Sequence, residues 1–286
     1  MTGRVVTLGN AVVDLVAAVP VLPARGGDVV ATAGGPVAGG GGVRAVLAVR
    51  AAGGAAAFAG RIGTGPLGRT VGAALEAVRI PVLTAPVPDR DTGLAVTLVE
   101  PDGERSFVTL PGAELADPAL DDVRFQADDL VHVSGYGLQI PSRTAAIARV
   151  LAGLPPRTIV LLDPGPLGVC GDAGAVLDRV DWWSGTAAEA AMVTGLADPV
   201  AAAAALARRV RRGVVVRRGA DGCLLARPGA DPVAIPAPRV RVCSTNGAGD
   251  THVGVFLAAL AAGAEPEAAA QRATDAAAAF VAGSGR

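Results

Sequence analysis

Short runs of β-branched and apolar residues recur along this 286-residue chain, and most stop at a glycine, asparagine or aspartate before a helical stretch begins. Arg4 to Leu8 stops at Gly9-Asn10, Ala55 to Ala59 at Gly60, and Leu130 to Val133 ahead of Gly135. Thr158 to Leu162 stops at Asp163-Pro164, and Gly213 to Val216 leads into Arg217-Arg218-Gly219. Unbroken apolar runs of this length read as strands buried on both faces. Helical stretches fall between them at Val43 to Ala52, Thr70 to Val78, Ser142 to Leu151, Ala173 to Arg179, Asp198 to Arg209 and Pro266 to Ala282. Strand and helix in regular alternation predict a parallel sheet with crossover helices, an α/β fold.

Several shorter features refine this. Asp28 to Thr32 reads as a strand, Gly39 to Gly42 as a loop, and Val82-Leu83 as the start of a strand. Trp182 to Ser184 is a further short strand, followed at Thr186 and Glu189 by the spacing of a capping box. Gly93 to Glu100 and Arg105 to Leu110 flank Pro101-Asp102-Gly103-Glu104, the pattern of a β-hairpin. A hairpin inside an α/β alternation predicts a small sheet standing off the main body. No linker divides the chain, so residues 1–286 are expected to form one domain.

Composition narrows the partners. The chain is 51% hydrophobic and carries a net charge of −1, so it can bury a sizeable core and implies no basic face for nucleic acid. The chain has no lysine, so its positive charge is carried by arginine. The cluster Arg208, Arg209, Arg211 and Arg212 reads as solvated. Cys170, Cys223 and Cys243 are isolated, which argues against a disulfide framework or a zinc site and for a reducing cytoplasm. Cys243 reads as a small buried residue. No signal peptide or membrane span is expected.

The chemistry concentrates between Arg241 and Gly263. A short strand through Val240 and Val242 is expected to enter Asn246-Gly247-Ala248-Gly249-Asp250-Thr251, and an apolar helix follows with Val253, Phe256, Leu257 and Leu260 on one side. Small residues before a helix let backbone N–H groups approach an anion that the helix dipole also attracts. Asp250 stands where a carboxylate could meet a hydroxyl beside that anion. The same pattern also describes a tight turn with Asp250 as N-cap. A second glycine pattern, Gly63-Thr64-Gly65-Pro66-Leu67-Gly68 with Asp89 and Asp91 downstream, matches a dinucleotide-binding turn and supports an oxidoreductase as one alternative.

In this order the motifs resemble the ribokinase-like, PfkB-type carbohydrate and nucleoside kinases over nearly the whole length. The resemblance rests on Gly9-Asn10 with Asp14, the glycine run at 39–42, residues 59–68, the hairpin region 91–114, Asp163-Pro164, 186–189, 214–222 and above all 246–251. It implies a three-layer α/β/α sandwich with a mainly parallel central sheet and a small β lid contributed by about 15–38 and 92–110. It implies an ATP-dependent kinase acting on a hydroxyl of a sugar or sugar-like molecule, with ATP and Mg2+ as cofactors. Asp250 would be the catalytic base, ionised at neutral pH, and the amides of Gly247, Ala248 and Gly249 the anion hole. Asn10, Asp14, Gly39, Gly40 and Arg44 would bind the acceptor. Thr186, Glu189, Arg217, Gly219, Gly222 and Asn246 would serve ATP, with Glu189 also near the metal. A homodimer through the lid would follow.

Three positions depart from the family pattern. Arg44 and Thr186 each replace an asparagine, and Ser244 replaces an aspartate that stands beside a monovalent cation, K+. Arg44 could clamp a phosphate or carboxylate of the acceptor, or point to solvent. The departures keep open a catalytically impaired protein of the same fold that binds a nucleotide or small molecule, and also a nucleoside or phosphosugar kinase.

Overall fold

The apolar runs become the strands of two sheets in a computed structural model that describes residues 3–165 and 174–283. In chain order the strands are β1 (Arg4–Leu8), β2 (Val12–Ala18), β3 (Ala33–Gly39), β4 (Ala55–Phe58), β5 (Gly93–Val99) and β6 (Arg105–Leu110). Then come β7 (Leu130–Ser134), β8 (Ile159–Asp163), β9 (Trp182–Thr186), β10 (Gly213–Arg217), β11 (Cys223–Ala226) and β12 (Val233–Ile235). The helices are α1 (Gly41–Ala51), α2 (Pro66–Ala77), α3 (Pro141–Gly153), α4 (Gly174–Leu177), α5 (Ala187–Thr194), α6 (Pro199–Ala207), α7 (Ala248–Ala261) and α8 (Pro266–Gly283). Cys170 lies outside the described residues.

The large sheet runs β12-β11-β10-β9-β8-β7-β1-β4, parallel from β10 to β4, with β11 and β12 antiparallel at one edge. Successive residues of its strands point to opposite faces, and the core divides accordingly. Val5, Leu161, Trp182 and Val215 pack with Val46 of α1, Phe256 of α7 and Ala270 of α8. Val6, Leu162, Trp183 and Val214 pack with Leu151 of α3, Ala190 of α5 and Leu206 of α6. The result is three layers. Because both faces are covered, these strands read as continuous apolar runs.

Strand β1 lies between β4 and β7, so the chain leaves it first to one side and then to the other. The carboxyl ends of the strands at such a reversal are where open α/β sheets bind ligands. The second sheet, β3-β2-β5-β6, is built from the segment after β1 and from the expected hairpin. At the hairpin turn Gly103 adopts φ 87° and donates to Glu100 O at 2.9 Å.

The structure corrects several expectations. Residues 28–32 form no strand, because pairing with β2 begins only at Ala33, opposite Ala18. The glycine run is not a loop. Gly39 ends β3, Gly40 caps α1 at φ 88°, and Gly41 and Gly42 are the first residues of α1. Helix α2 starts at Pro66 rather than Thr70, since proline at the first helical position lacks only an N–H that would have had no partner there. Val82 makes a single bridge to Phe58. Val240 and Val242 are exposed and unpaired, so no strand precedes the glycine-rich turn. Cys243 is exposed rather than buried and donates to Ala282 O at 3.3 Å. Arg211 and Arg212 are not simply solvated, because both lean on buried Asp181, at 3.7 and 3.4 Å.

Candidate active site

The carboxyl ends of β1, β7, β8 and β10 open into a cavity of about 590 Å³. One face of the smaller sheet closes its other side. Register places Asp14, Ala95 and Thr109 opposite one another across β2, β5 and β6, and all three line the cavity together with Val12 and Phe107. The first turn of α7 forms the remaining wall through Asn246, Gly249 and Asp250.

Gly247 caps α7 in the left-handed region at φ 90°, which glycine adopts without a Cβ penalty. Asp250 therefore sits inside the first helical turn and is not the N-cap. The Ala248 N–H donates to Thr245 O at 3.2 Å, so one of the three expected anion-hole amides is engaged within the turn. The amides of Gly249 and Asp250 begin the helix, where no carbonyl lies one turn back to receive them.

The Asp250 carboxyl is pushed up to about 7 by burial first and by the charge of Asp163 second, against the opposing pull of Arg44 and Arg217. The expectation of a fully ionised aspartate gives way to a group that titrates near neutrality. Desolvation and a like charge outweigh the helix N-terminus here. A Cβ on Gly41 would lie 3.1 Å from Asp250 Oδ1 and 3.4 Å from Ser134 Oγ. Gly39 stands even closer to Asp14, whose Oδ2 would collide with any Cβ there. The glycine run thus makes room for two carboxylates.

Arg44 does not point to solvent. Its Nη2 bonds Asp14 Oδ2, its Nη1 donates to Asn246 Oδ1 at 2.6 Å, and Nη1 lies 3.9 Å from Asp250 Oδ2. Burial raises the Asp14 carboxyl more than Arg44 lowers it. Asn10 lines the same cavity, and its Oδ1 accepts from Gly42 N at 3.4 Å.

On the opposite wall Arg217 meets Asp163 at 3.4 Å, Glu189 at 3.8 Å, Ser184 Oγ at 3.3 Å and Gly249 O at 3.4 Å. Burial disfavours its charge, but Asp163 and Glu189 outweigh that and hold the guanidinium more firmly protonated than usual. Thr186 and Glu189 complete the capping box of α5, with Glu189 N to Thr186 Oγ1 at 3.2 Å and Thr186 N to Glu189 Oε2 at 2.6 Å. Glu189 lines the cavity, whereas Thr186, Gly219 and Gly222 lie outside its lining. Gly219 and Gly222 hold a turn at φ 60° and 79°.

Sequence reasoning missed Ser134, Tyr136, Gln139, Arg143, Glu114, Phe107 and Thr109, all on the cavity wall. The available signals were the Gly135-Tyr136-Gly137 break after β7 and the hairpin region 91–114, which marked a lid without singling out Phe107, Thr109 or Glu114. The dinucleotide alternative loses its anion site. Asp91 already accepts from Leu67 N, Gly68 N and Thr92 N at 3.0, 2.8 and 2.8 Å. Despite desolvation, those donors hold its carboxyl below the usual range.

The comparison with known proteins agrees. Residues 2–286 match the pfkB family carbohydrate kinases. The chain belongs to that family. It is 31% identical over 292 residues to a fructokinase from Klebsiella pneumoniae, covering 96% of this chain and 90% of the relative. It is 28% identical over 286 residues to a ribokinase from Arabidopsis thaliana, covering 92% and 72%. Among solved structures, ribokinase from Giardia lamblia superposes with a TM-score of 0.85 at 22% identity, covering 99% of this chain and 93% of that one. Arabidopsis thaliana ribokinase complexed with ribose and ATP superposes at 0.80 with 25% identity, covering 98% and 92%. The family establishes the chain as an ATP-dependent sugar kinase. No single helix among the described residues is long and apolar enough to cross a membrane.

Proposed function

We propose that the enzyme moves the γ-phosphoryl group of ATP onto a hydroxyl of a sugar or sugar-like acceptor, with Asp250 as base. One observation carries the reading. Asp250 shares a single cavity with Asp14 on the sheet side and with the first turn of α7. Asp14 and Asn10 hold acceptor hydroxyls, and Gly39 and Gly40 let the chain pass close to them. The amides of Gly247 and Gly249, joined by that of Asp250, face the phosphoryl charge. Arg217, Asn246 and Glu189 line the ATP side, with Thr186, Gly219 and Gly222 shaping its edge. Phosphoryl transfer needs chiefly positioning and charge stabilisation, which such a wall supplies.

Thr186 supports an active enzyme over an impaired one, because it caps α5 and fixes Glu189. Glu189 offers magnesium one carboxylate on the cavity wall, its Oε2 already accepting from Thr186 N at 2.6 Å. Glu189 would hold it together with ATP phosphates and water, as suits an ion that keeps most of its own shell. Bound there, it would neutralise phosphate charge. Potassium does not fit in the family's manner, since Ser244 offers a neutral oxygen that already accepts from Asn246 N at 3.3 Å.

The four-stranded sheet would act as a lid over the acceptor. Its outer face exposes Leu15, Val108 and Leu110. A second copy pairing there would give a homodimer, and sedimentation equilibrium should then report twice the chain mass; a monomer at micromolar concentration rules it out. The free thiols Cys223 and Cys243 suit a reducing cytoplasm.

The pH profile tests the base. A group that must be unprotonated and titrates at about 7 gives a kcat/KM that falls about tenfold per unit below that pH and levels above it. The measurement is ATP-dependent phosphorylation across a sugar panel between pH 5 and 9. A rate independent of pH down to 5 rejects Asp250 as the base.

A further inference from the structure

We propose that Arg44 is a catalytic residue of the transfer step, its guanidinium donating to the transferring phosphoryl group rather than to a substituent of the acceptor. The proposal rests on the kinase reading above.

The argument begins with where the side chain lies. Arg44 leaves the first turn of α1, and its Cδ comes 3.4 Å from the place a Cβ on Gly247 would occupy. Its Nη1 sits 2.6 Å from Asn246 Oδ1 and 3.9 Å from Asp250 Oδ2. The head group therefore lies beside the first turn of α7, where the helix dipole and amides collect an anion. The wall beyond Asp14 carries uncharged Phe107, Thr109 and Gln139, and Glu114, whose carboxylate already accepts from Gly93 N at 2.9 Å and Gly112 N at 2.8 Å. Arg143 on that side already donates to Ala116 O.

Charge balance points the same way. Asp14, Glu114, Asp163, Glu189 and Asp250 line the cavity against Arg44, Arg143 and Arg217, so carboxylates outnumber guanidinium groups. Arg217 is held from beneath by Asp163, Ser184 and the Gly249 carbonyl. A γ-phosphate adds further negative charge, and electrostatic stabilisation of that charge is the main catalytic resource of phosphoryl transfer. Arg44 is the cation beside α7 whose partner can be exchanged. Its Nη2 is paired with Asp14, the carboxylate that acceptor hydroxyls would occupy.

An acceptor hydroxyl donating to Asp14 competes with Nη2 and releases it toward the equatorial phosphoryl oxygens. The cation then reaches the phosphate only when an acceptor is present, which holds back transfer to water. In the step itself the acceptor O–H proton goes to Asp250 and its oxygen forms the new O–P bond. The bond from phosphorus to the bridging oxygen breaks, and its electron pair leaves on ADP. Arg44 keeps its proton throughout and gives only hydrogen bonds.

The test compares wild type with Arg44→Ala and Arg44→Gln, the latter keeping a side chain that can still bond Asn246. Binding of ADP alone, and of ADP with aluminium fluoride as a mimic of the planar phosphoryl group, is measured by titration calorimetry beside steady-state kinetics on an accepted sugar. ADP affinity should stay within about threefold while affinity for the aluminium fluoride complex falls at least about a hundredfold. The kcat should fall about a thousandfold, with acceptor KM little changed, and millimolar guanidinium ion should restore part of it in Arg44→Ala. A rise in acceptor KM at unchanged kcat, with the aluminium fluoride complex bound as tightly as by wild type, overturns the proposal and makes Arg44 an acceptor clamp. Wild type that binds no ADP overturns the kinase reading itself, and this proposal with it.

Discussion

Asp250→Asn should lower kcat about a thousandfold while leaving the fold intact. The size follows from the usual contribution of a positioned general base. The asparagine keeps the shape that Gly41 and Ser134 surround but accepts no proton at neutral pH. Stability should move the other way. The native carboxyl titrates at about 7, above its ordinary unfolded value, so the folded state holds the proton more tightly. Stability contributed by that protonated form is full at low pH and is lost as pH rises toward and through about 7. Above that pH the buried charge is a net cost that asparagine removes. Thermal unfolding at pH 8 should therefore show the variant at least as stable as wild type. Retained kcat would remove Asp250 from the mechanism, and a lower melting temperature would contradict the electrostatic reading of its surroundings.

The fold was legible because its strands are covered on both sides. A strand buried on both faces needs apolar residues at every position, so Val5, Val6, Leu161 and Leu162 stand out in sequence even though they serve different cores. The glycine run was misread for a related reason. Glycine lowers helix propensity, so Gly41 and Gly42 argue for a loop when judged locally. They open α1 nonetheless, and glycine is required there because the Asp250 carboxylate crowds the space a Cβ on Gly41 would need and the backbone of Gly9 and Asn10 that of Gly42. Tertiary approach decided what propensity could not. β12 escaped notice because three residues between Pro232 and Pro236 give no measurable period.

The cavity wall was legible where its residues sit in one local pattern, as in 246–251, and less so where it depends on register. Phe107 and Thr109 reach the cavity because β6 pairs with β5 in one register; a slip of one residue would turn Val108 inward instead. The turn at 101–104 sets that register, but nothing local says which face of the hairpin meets the cavity. The electrostatics were hidden for the same reason. Asp163 lies 87 positions from Asp250, yet its charge adds to burial in raising the Asp250 carboxyl. Sequence reading placed Asp250 at a helix start and Asp163 at the end of an apolar run, but it did not bring the two carboxylates together and so inferred an ordinary acid.

Asp14→Asn should lower kcat/KM for the acceptor by about a hundredfold or more, while the KM for ATP changes by less than about threefold. Asp14 projects from β2 into the sheet side of the cavity, away from Arg217 and Glu189. As a carboxylate it can accept hydrogen bonds from two sugar hydroxyls, each worth about 1.5–3 kcal/mol when the acceptor is charged. Asparagine keeps one oxygen acceptor and turns the other position into a donor, so one of those bonds becomes a clash of donors. Arg44 keeps Asn246 and Asp250 within reach, which limits the damage to the cleft itself. The close passage of Gly39 makes the position unforgiving of anything larger. A rise in ATP KM equal to that of the acceptor would mean the cleft had collapsed as a whole. An unchanged acceptor KM and kcat would mean that Asp14 only parks Arg44 and that acceptor hydroxyls bind elsewhere.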